Sequence, residues 1–344
     1  MRSRHWSFGL SQLGSVQGLL VLAVWLWAAT TPVLAQSVKE KAEAEGKLMF
    51  YATFNAADSK MLTDGFKQAY PKIDAAFYRG TDAAIMERIL TENRAGQNLW
   101  DVAVTTSFYG HNLTKRGLFA AYDSPERKFF KDGYKDPHGA WTSVYTNYAA
   151  FGYNTGTVPK GSVPQSYADL LKPEWKGNIG MDSKAYEWFG TMLKAMGEEK
   201  GLAYMRELSK QTQLRSGRTL LAQLVAAGEF KGALSAYSQT FEVLKPSGAP
   251  VEWVYLNPVF ANIHPAGISA KAPHPNAARL FIDFVLSKRG QEIVRKMNRI
   301  PDRTDTPPAQ ARLMEGIKPA FAPVEVLEDF SRYGKMFDDI FAAR

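Results

Sequence analysis

The chain has 344 residues, no cysteine, a formal net charge of +8 and 45% hydrophobic residues. That composition belongs to a folded globular protein about two domains long and excludes disordered, collagenous and coiled-coil chains. Lacking cysteine, it has no disulfide framework, cysteine-bound zinc, iron–sulfur cluster or thiol nucleophile.

The first 35 residues read as a secretory signal peptide. Arg2 and Arg4 precede an apolar run over 18–29, and Val33-Leu34-Ala35 follows with small residues at a cleavage position. The run of about 12 residues is too short for the roughly 20 that cross a bilayer. Cleavage after Ala35 removes two arginines and no acid, taking the charge from +8 to +6. No later segment is long and apolar enough to span a membrane. A periplasmic protein without stable membrane insertion is therefore expected. No dense Lys/Arg tract interleaved with aromatics points to nucleic acid.

From residue 39 the pattern alternates. Residues 39–45 read as a short polar helix and 47–53 as a buried strand. Residues 59–70 read as a helix stopped by Pro71, 73–78 as a strand, 82–95 as a helix and 101–105 as a strand. This order predicts a parallel sheet covered by helices, with ligands beyond the carboxyl ends of its strands. Thr53, Asn55, Arg79, Thr81, Thr105, Thr106 and Ser107 fall at such ends. The hydroxyls and the amide either hold a polar ligand or cap the next helix.

A second unit of the same kind follows. Strands are expected at 145–154, 178–182, 232–237 and 251–255, and helices at 185–196, 201–210, 219–227, 276–286 and 290–297.

The block Asp169-Leu170-Leu171-Lys172-Pro173-Glu174-Trp175-Lys176-Gly177-Asn178-Ile179-Gly180 resembles a segment of bacterial extracellular solute-binding proteins, in their ferric-binding-like class of ABC-transporter receptors. Phe151-Gly152-Tyr153-Asn154, Val225-Ala226-Ala227-Gly228-Glu229, the run from Pro275 to Ser287 and Gly290-Gln291 are similar to further segments of that class. The similarity runs over nearly all of residues 40–300.

The resemblance implies an α/β, two-lobed type II periplasmic-binding-protein fold with a ligand cleft and a two-strand hinge. Binding then implies hinge closure and delivery to an ABC permease in the inner membrane, powered by a separate ATPase. This chain has no phosphate-binding loop of its own. The crossovers are expected near 141–148 and 255–262. The first lobe is then 37–142 plus 258–310, the second is 143–257, and 311–344 forms a C-terminal helical segment packing on the lobes.

The resemblance also implies iron held by two adjacent tyrosines on a second-lobe strand. Anionic oxygen ligands suit Fe(III), a hard cation. Here that place reads Ala236-Tyr237-Ser238, with one tyrosine. His111, His138, His264 and His274 are dispersed without metal-ligand spacing. No metal is expected, and Tyr237 is the ligand if the cargo is ferric.

An anion seat is read instead at Arg215-Ser216-Gly217-Arg218-Thr219, before a helix start, where backbone N–H groups, the helix dipole and arginine forks favour a carboxylate or phosphonate. A capped surface loop with solvated arginines is the other reading of this segment. Asp182, at a strand's carboxyl end, suits an amine or caps the next helix. Tyr186 and Trp188 face either the cleft or the core. Tyr145, Asn147, Tyr237 and Asn257 lie near the expected crossings.

The expected function is reversible capture of a small polar, anionic or zwitterionic solute by a monomeric receptor with no cofactor and no catalysis. A ferric receptor, a sensor subunit and a periplasmic enzyme on the same fold are the alternatives. The sequence carries none of the G-x-S-x-G, H-E-x-x-H or S-x-x-K arrangements, nor a dinucleotide fingerprint.

Overall fold

The computed structural model describes residues 37–342, so the expected signal peptide lies outside the described residues. The first stretch runs α1 (Val38–Glu45), β1 (Lys47–Ala52), α2 (Ala56–Ala69), β2 (Asp74–Arg79), α3 (Asp82–Arg94), β3 (Val102–Val104), α4 (Ser107–Lys115) and β4 (Phe119–Ala120). A 13-residue strand, β5 (Thr142–Asn154), leads to β6 (Ile179–Asp182), α5 (Tyr186–Met196), α6 (Glu198–Ser209), β7 (Thr212–Arg215), α7 (Arg218–Ala226), β8 (Gly232–Tyr237), α8 (Ser238–Leu244) and β9 (Val251–Val254). A second long strand, β10 (Val259–Ser269), returns to α9 (Pro275–Leu286), α10 (Lys288–Lys296) and β11 (Ile300–Pro301). The chain closes with β12 (Pro319–Ala320), α11 (Val324–Glu328) and α12 (Phe330–Phe341).

All strands join one sheet, whose main path is β2-β1-β3-β10-β5-β8-β6-β7. At one end β1 pairs in parallel with β2 and β3, and at the other β6 pairs in parallel with β7 and β8. The long strands are antiparallel to each other and to their neighbours β3 and β8. The early residues of β5 face β10 and β11, and the late ones, from Ala149, face β8 and β9.

Local chemistry sets the helix limits. Asn55 caps α2 by accepting the Asp58 N–H at 2.8 Å, and Thr81 caps α3. The Glu45 carboxylate closes α1 and accepts N–H bonds from Asn276 and Ala277 at the start of α9, where the helix dipole favours an anion.

Apolar side chains bury on both ends of the sheet. Phe50, Phe66, Phe281 and Phe284 form one core, and Trp175, Trp188, Phe189 and Phe337 anchor another. The Phe66 and Phe281 rings meet edge to face at 5.1 Å, a contact worth about 0.5–1.5 kcal/mol beyond its area. Gly152 is required by packing: a Cβ there would sit 1.8 Å from Phe241 Cζ.

Several elements depart from the sequence reading. Residues 212–215 form a strand that the sequence reading leaves unassigned, because four residues give too little alternation to read. The stretches 107–115 and 238–244 are helices that the sequence pattern does not mark. The return strand begins at Val259, runs to Ser269 and is buried throughout. It tolerates Pro265, which lacks an N–H, because its pairing with β5 is broken there by a register shift between Ile263 and Pro265.

Candidate functional site

In both parallel segments the strand ends are level. Ala52 is in register with Arg79 and Val104, and Asp182 with Arg215. The residues just past these ends, together with groups from the long strands, make one polar cluster. Asp82, Thr106 and Ser107 come from one side and Asp182, Glu187, Arg218 and Tyr237 from the other. Tyr145, Asn147, Asn262 and His264 come from β5 and β10, and Arg299 from the turn after α10.

Arg218 opens α7. Its Nε donates to the Ser235 carbonyl at 3.1 Å, and its guanidinium lies 5.0 Å from the Tyr237 ring centre. Its two terminal nitrogens hydrogen-bond no other described residue. Two backbone devices hold it there. The Asp182 carboxylate accepts N–H bonds from Lys184 (2.7 Å) and Gly217 (3.2 Å), tying β6 to the loop before α7. Gly217 has φ +105°, which a side chain rarely adopts. Ser235 is a non-glycine residue at φ 59°, within an irregularity where β8 carries an extra residue against β5. This bulge re-aims the end of β8, and such backbone is held only where the surroundings fix it. Burial opposes the Arg218 charge, but Tyr237, Asp182 and Glu187 hold it above the ordinary arginine range.

Glu187 stands in the first turn of α5. Its Oε1 is buried without a hydrogen-bond partner. Burial pushes its carboxyl up to about 7, while Ser107 and Arg218 pull it back. Burial also raises Asp82, against the Thr106 N–H and hydroxyl that donate to its Oδ1 at 2.8 and 3.1 Å. The Tyr237 hydroxyl accepts from Asn262 Nδ2 at 2.7 Å, and Asn262 Oδ1 has no partner. Burial raises the Tyr237 phenol, with Arg218 and Asn262 opposing, so it is neutral near pH 7.

Arg299 binds the Asp58 carboxylate at 2.7 and 3.0 Å and lies 4.5 Å from the Tyr145 ring centre. The Tyr145 ring stacks on His264 at 3.8 Å. Burial, reinforced by Arg299, lowers His264 to about 3, so its imidazole is neutral, and its buried Nδ1 has no partner. Asn147 accepts a hydrogen bond from Gln239.

Of the residues singled out from the sequence, the structure gathers Thr106, Ser107, Tyr145, Asn147, Asp182, Arg218 and Tyr237. The others are occupied or lie apart. Asn55 is spent on its cap, and the Thr53 hydroxyl is 3.3 Å from the Val104 carbonyl. Arg79 is exposed at the end of β2, and Ser216 is exposed ahead of α7. Arg215 pairs with Glu229 at 2.9 Å and covers the Phe230 ring. Tyr186 packs on Phe330 and Phe337 and donates to Asp338, facing the C-terminal helix. Trp188 is fully buried in the core. Asn257 precedes a cis proline and holds the Gly316 carbonyl and the Lys318 N–H of the C-terminal segment.

Glu187, Asp82, Asn262 and Arg299 were not singled out. Asp82 and Glu187 follow strand ends by only a few residues, so the rule that marked Thr106 applies to them too. Nothing in the sequence signals Arg299, 241 positions from Asp58. Among the described residues no group of three or more His, Asp or Glu side chains is placed to hold a metal ion.

The arrangement offers the Arg218 fork with both terminal nitrogens free, a carboxyl poised between charge states, hydroxyls, and aromatic faces. It suits a small molecule carrying an anionic group beside hydroxyl or amine donors.

A family model for bacterial extracellular solute-binding proteins matches residues 97–325. The Fe(3+)-binding periplasmic protein of Serratia marcescens is 25% identical over 272 residues, covering 75% of this chain and 79% of that protein. Iron-bound HitA from Pseudomonas aeruginosa superposes with a TM-score of 0.75 at 21% identity, over 86% of this chain and 99% of its own. The periplasmic binding protein AfuA from Actinobacillus pleuropneumoniae, with fructose-6-phosphate bound, gives 0.73 at 24% identity, over 87% and 99%. These likenesses show the type II periplasmic-binding fold. No helix among the described residues is long and apolar enough to cross a membrane.

Proposed function

The chain belongs to the bacterial extracellular solute-binding proteins, and from that membership we propose that it captures a small anionic or zwitterionic organic solute for an ABC importer. The observation that carries this reading is Arg218, whose terminal nitrogens hydrogen-bond no described residue, beside the unpartnered Glu187 Oε1. Buried polar atoms are costly when unpaired, and a solute hydroxyl or amine on Glu187 relieves that cost. A solute anion takes up the free donors of the half-buried Arg218 fork. Fructose-6-phosphate, the ligand named for AfuA, has this combination of groups.

In this reading the lobes are 37–142 plus 258–310 and 143–257, joined by β5 and β10, with 311–344 packed on them. Closure brings Ser107 and Arg299 onto a solute first held by Arg218. The receptor acts as a periplasmic monomer and hands its cargo to an inner-membrane permease.

Ferric iron is the second reading, favoured by the likeness to the Serratia protein and by Tyr237 in the cluster. Fe(III) would have to draw the proton from a phenol that burial now keeps neutral. Native mass spectrometry of the protein as isolated, with metal analysis, separates the two. An organic mass without metal supports the first, and stoichiometric iron overturns it. Tyr237→Phe is expected to abolish Fe(III) binding if iron is the cargo and to leave an organic solute's affinity within about twofold.

A further inference from the structure

Two helix starts meet in the solute cluster. Ser107 opens α4, Glu187 stands in the first turn of α5, and the Ser107 hydroxyl is close enough to pull the Glu187 pKa down. The residues beside them share a third partner. Phe108 stacks on Phe330, the first residue of α12, with ring centres 4.0 Å apart and planes 23° apart. Tyr186 meets the same Phe330 ring edge to face at 5.9 Å. One ring therefore touches the neighbour of each cluster member, one on α4 and one on α5.

The corner between α11 and α12 is attached to these two helices in different ways. Towards α5 it is core. Phe337 and Phe341 of α12 meet Phe189 edge to face at 5.8 and 6.3 Å, and Val326 and Tyr333 are buried in the same cluster. Gly190 lets these elements approach, since a Cβ there would sit 2.6 Å from Val326. Towards α4 the contact is narrow. Besides the ring stack, Lys115 pairs with Glu328 at 2.7 Å, an exposed ion pair of small worth. A cavity of about 570 Å³ lies along this seam, lined by Phe108, His111, Lys115, Leu327, Glu328 and Ser331, and a second of about 600 Å³ shares His111, Lys115, Leu327 and Glu328 with it. Protein cores are close-packed and hold few voids larger than a water molecule. The seam with α4 is thus a contact that can part, while α12 stays with α5.

We propose that the α11–α12 corner is a latch: Phe330, carried on the second lobe, holds Phe108 of the first and so sets how far the cleft stands closed, without touching the solute. The latch rests on the two lobes proposed above and is independent of the cargo's identity. The chain has no cysteine, so Arg79→Cys with Ser216→Cys puts one spin label on each lobe, at exposed positions outside the cluster. Double electron–electron resonance on the full mature protein without solute then reads the separation of the lobes. Phe330→Ala is expected to raise the ratio of long to short distances at least about fivefold. Phe108→Ala, which leaves α12 untouched, is expected to do the same, the double variant to add nothing further, and Phe330→Tyr to match the parent protein. Unchanged distances in the folded alanine variants, or effects that sum in the double variant, overturn the latch. Ser107→Trp, a wedge between the two helix starts, separates that failure from a failure of the lobes. If the wedge lengthens the distance and the alanine variants do not, the latch alone falls. If none of the three lengthens it, the two-lobe reading falls with the latch.

Discussion

The two parallel segments of the sheet spend their strand ends in opposite ways. Past β1 and β3, the polar groups other than Ser107 are consumed internally. Asn55 serves its helix, Thr53 lies against the Val104 carbonyl, and Thr106 holds Asp82. Past β6 and β8, structure is built so that something stays free. Asp182 and the β8 bulge fix the position of Arg218 through the backbone, and its fork remains open beside Glu187. The contrast teaches that hydroxyls at strand ends are weak evidence for binding, whereas a charge held by backbone contacts, with unused donors, is strong evidence.

The sharpest way to break the comparison is Arg218→Ala. It is expected to weaken fructose-6-phosphate, as a probe anion, by roughly 1.5–3 kcal/mol in titration calorimetry, with little change in melting temperature. Equal affinity in a folded variant would remove Arg218 from the site.

Glu187 gives the pH signature. Its folded pKa is raised from 4.5 to about 7, so its protonated form favours the folded state. Stability from this group is complete below about pH 4.5, declines as pH rises toward 7 and is flat above. Glu187→Gln should reduce the slope across that window in urea titrations, leaving the part that Asp302, also raised to about 7, contributes. A slope unchanged by the substitution would contradict the buried-carboxyl assignment.

Asn55→Ala tests the other segment. Loss of the cap should cost about 1 kcal/mol of stability and leave affinity for the same probe intact. Arg215→Ala should do least. Its exposed pair with Glu229 is worth at most about 1 kcal/mol in stability, and its affinity should match the parent protein's.

The sequence made the alternation of strands and helices legible, because each unit carries a clear period, and family-like segments such as Phe151-Gly152-Tyr153-Asn154 reinforced it. The site was legible where a residue adjoins a strand end, as Thr106, Asp182 and Tyr237 do, at the helix start of Arg218, and at the expected crossing that holds Tyr145 and Asn147. Arg215 and Arg218 looked alike in sequence. A three-residue offset puts one on a surface strand against Glu229 and the other at a helix start over Tyr237. Arg299 and His264 enter through long-range packing on Tyr145, which no local pattern encodes.

Strand β5 has a consequence for how this molecule can diversify. All thirteen of its residues are buried, and the pairing partner changes between Tyr148 and Ala149. Inserting one residue at that junction would leave the upstream ladder in frame and turn every downstream side chain to the opposite face. Length changes are therefore barred from the connecting strand. Substitution, which keeps both ladders in frame, is the kind of change this strand can take.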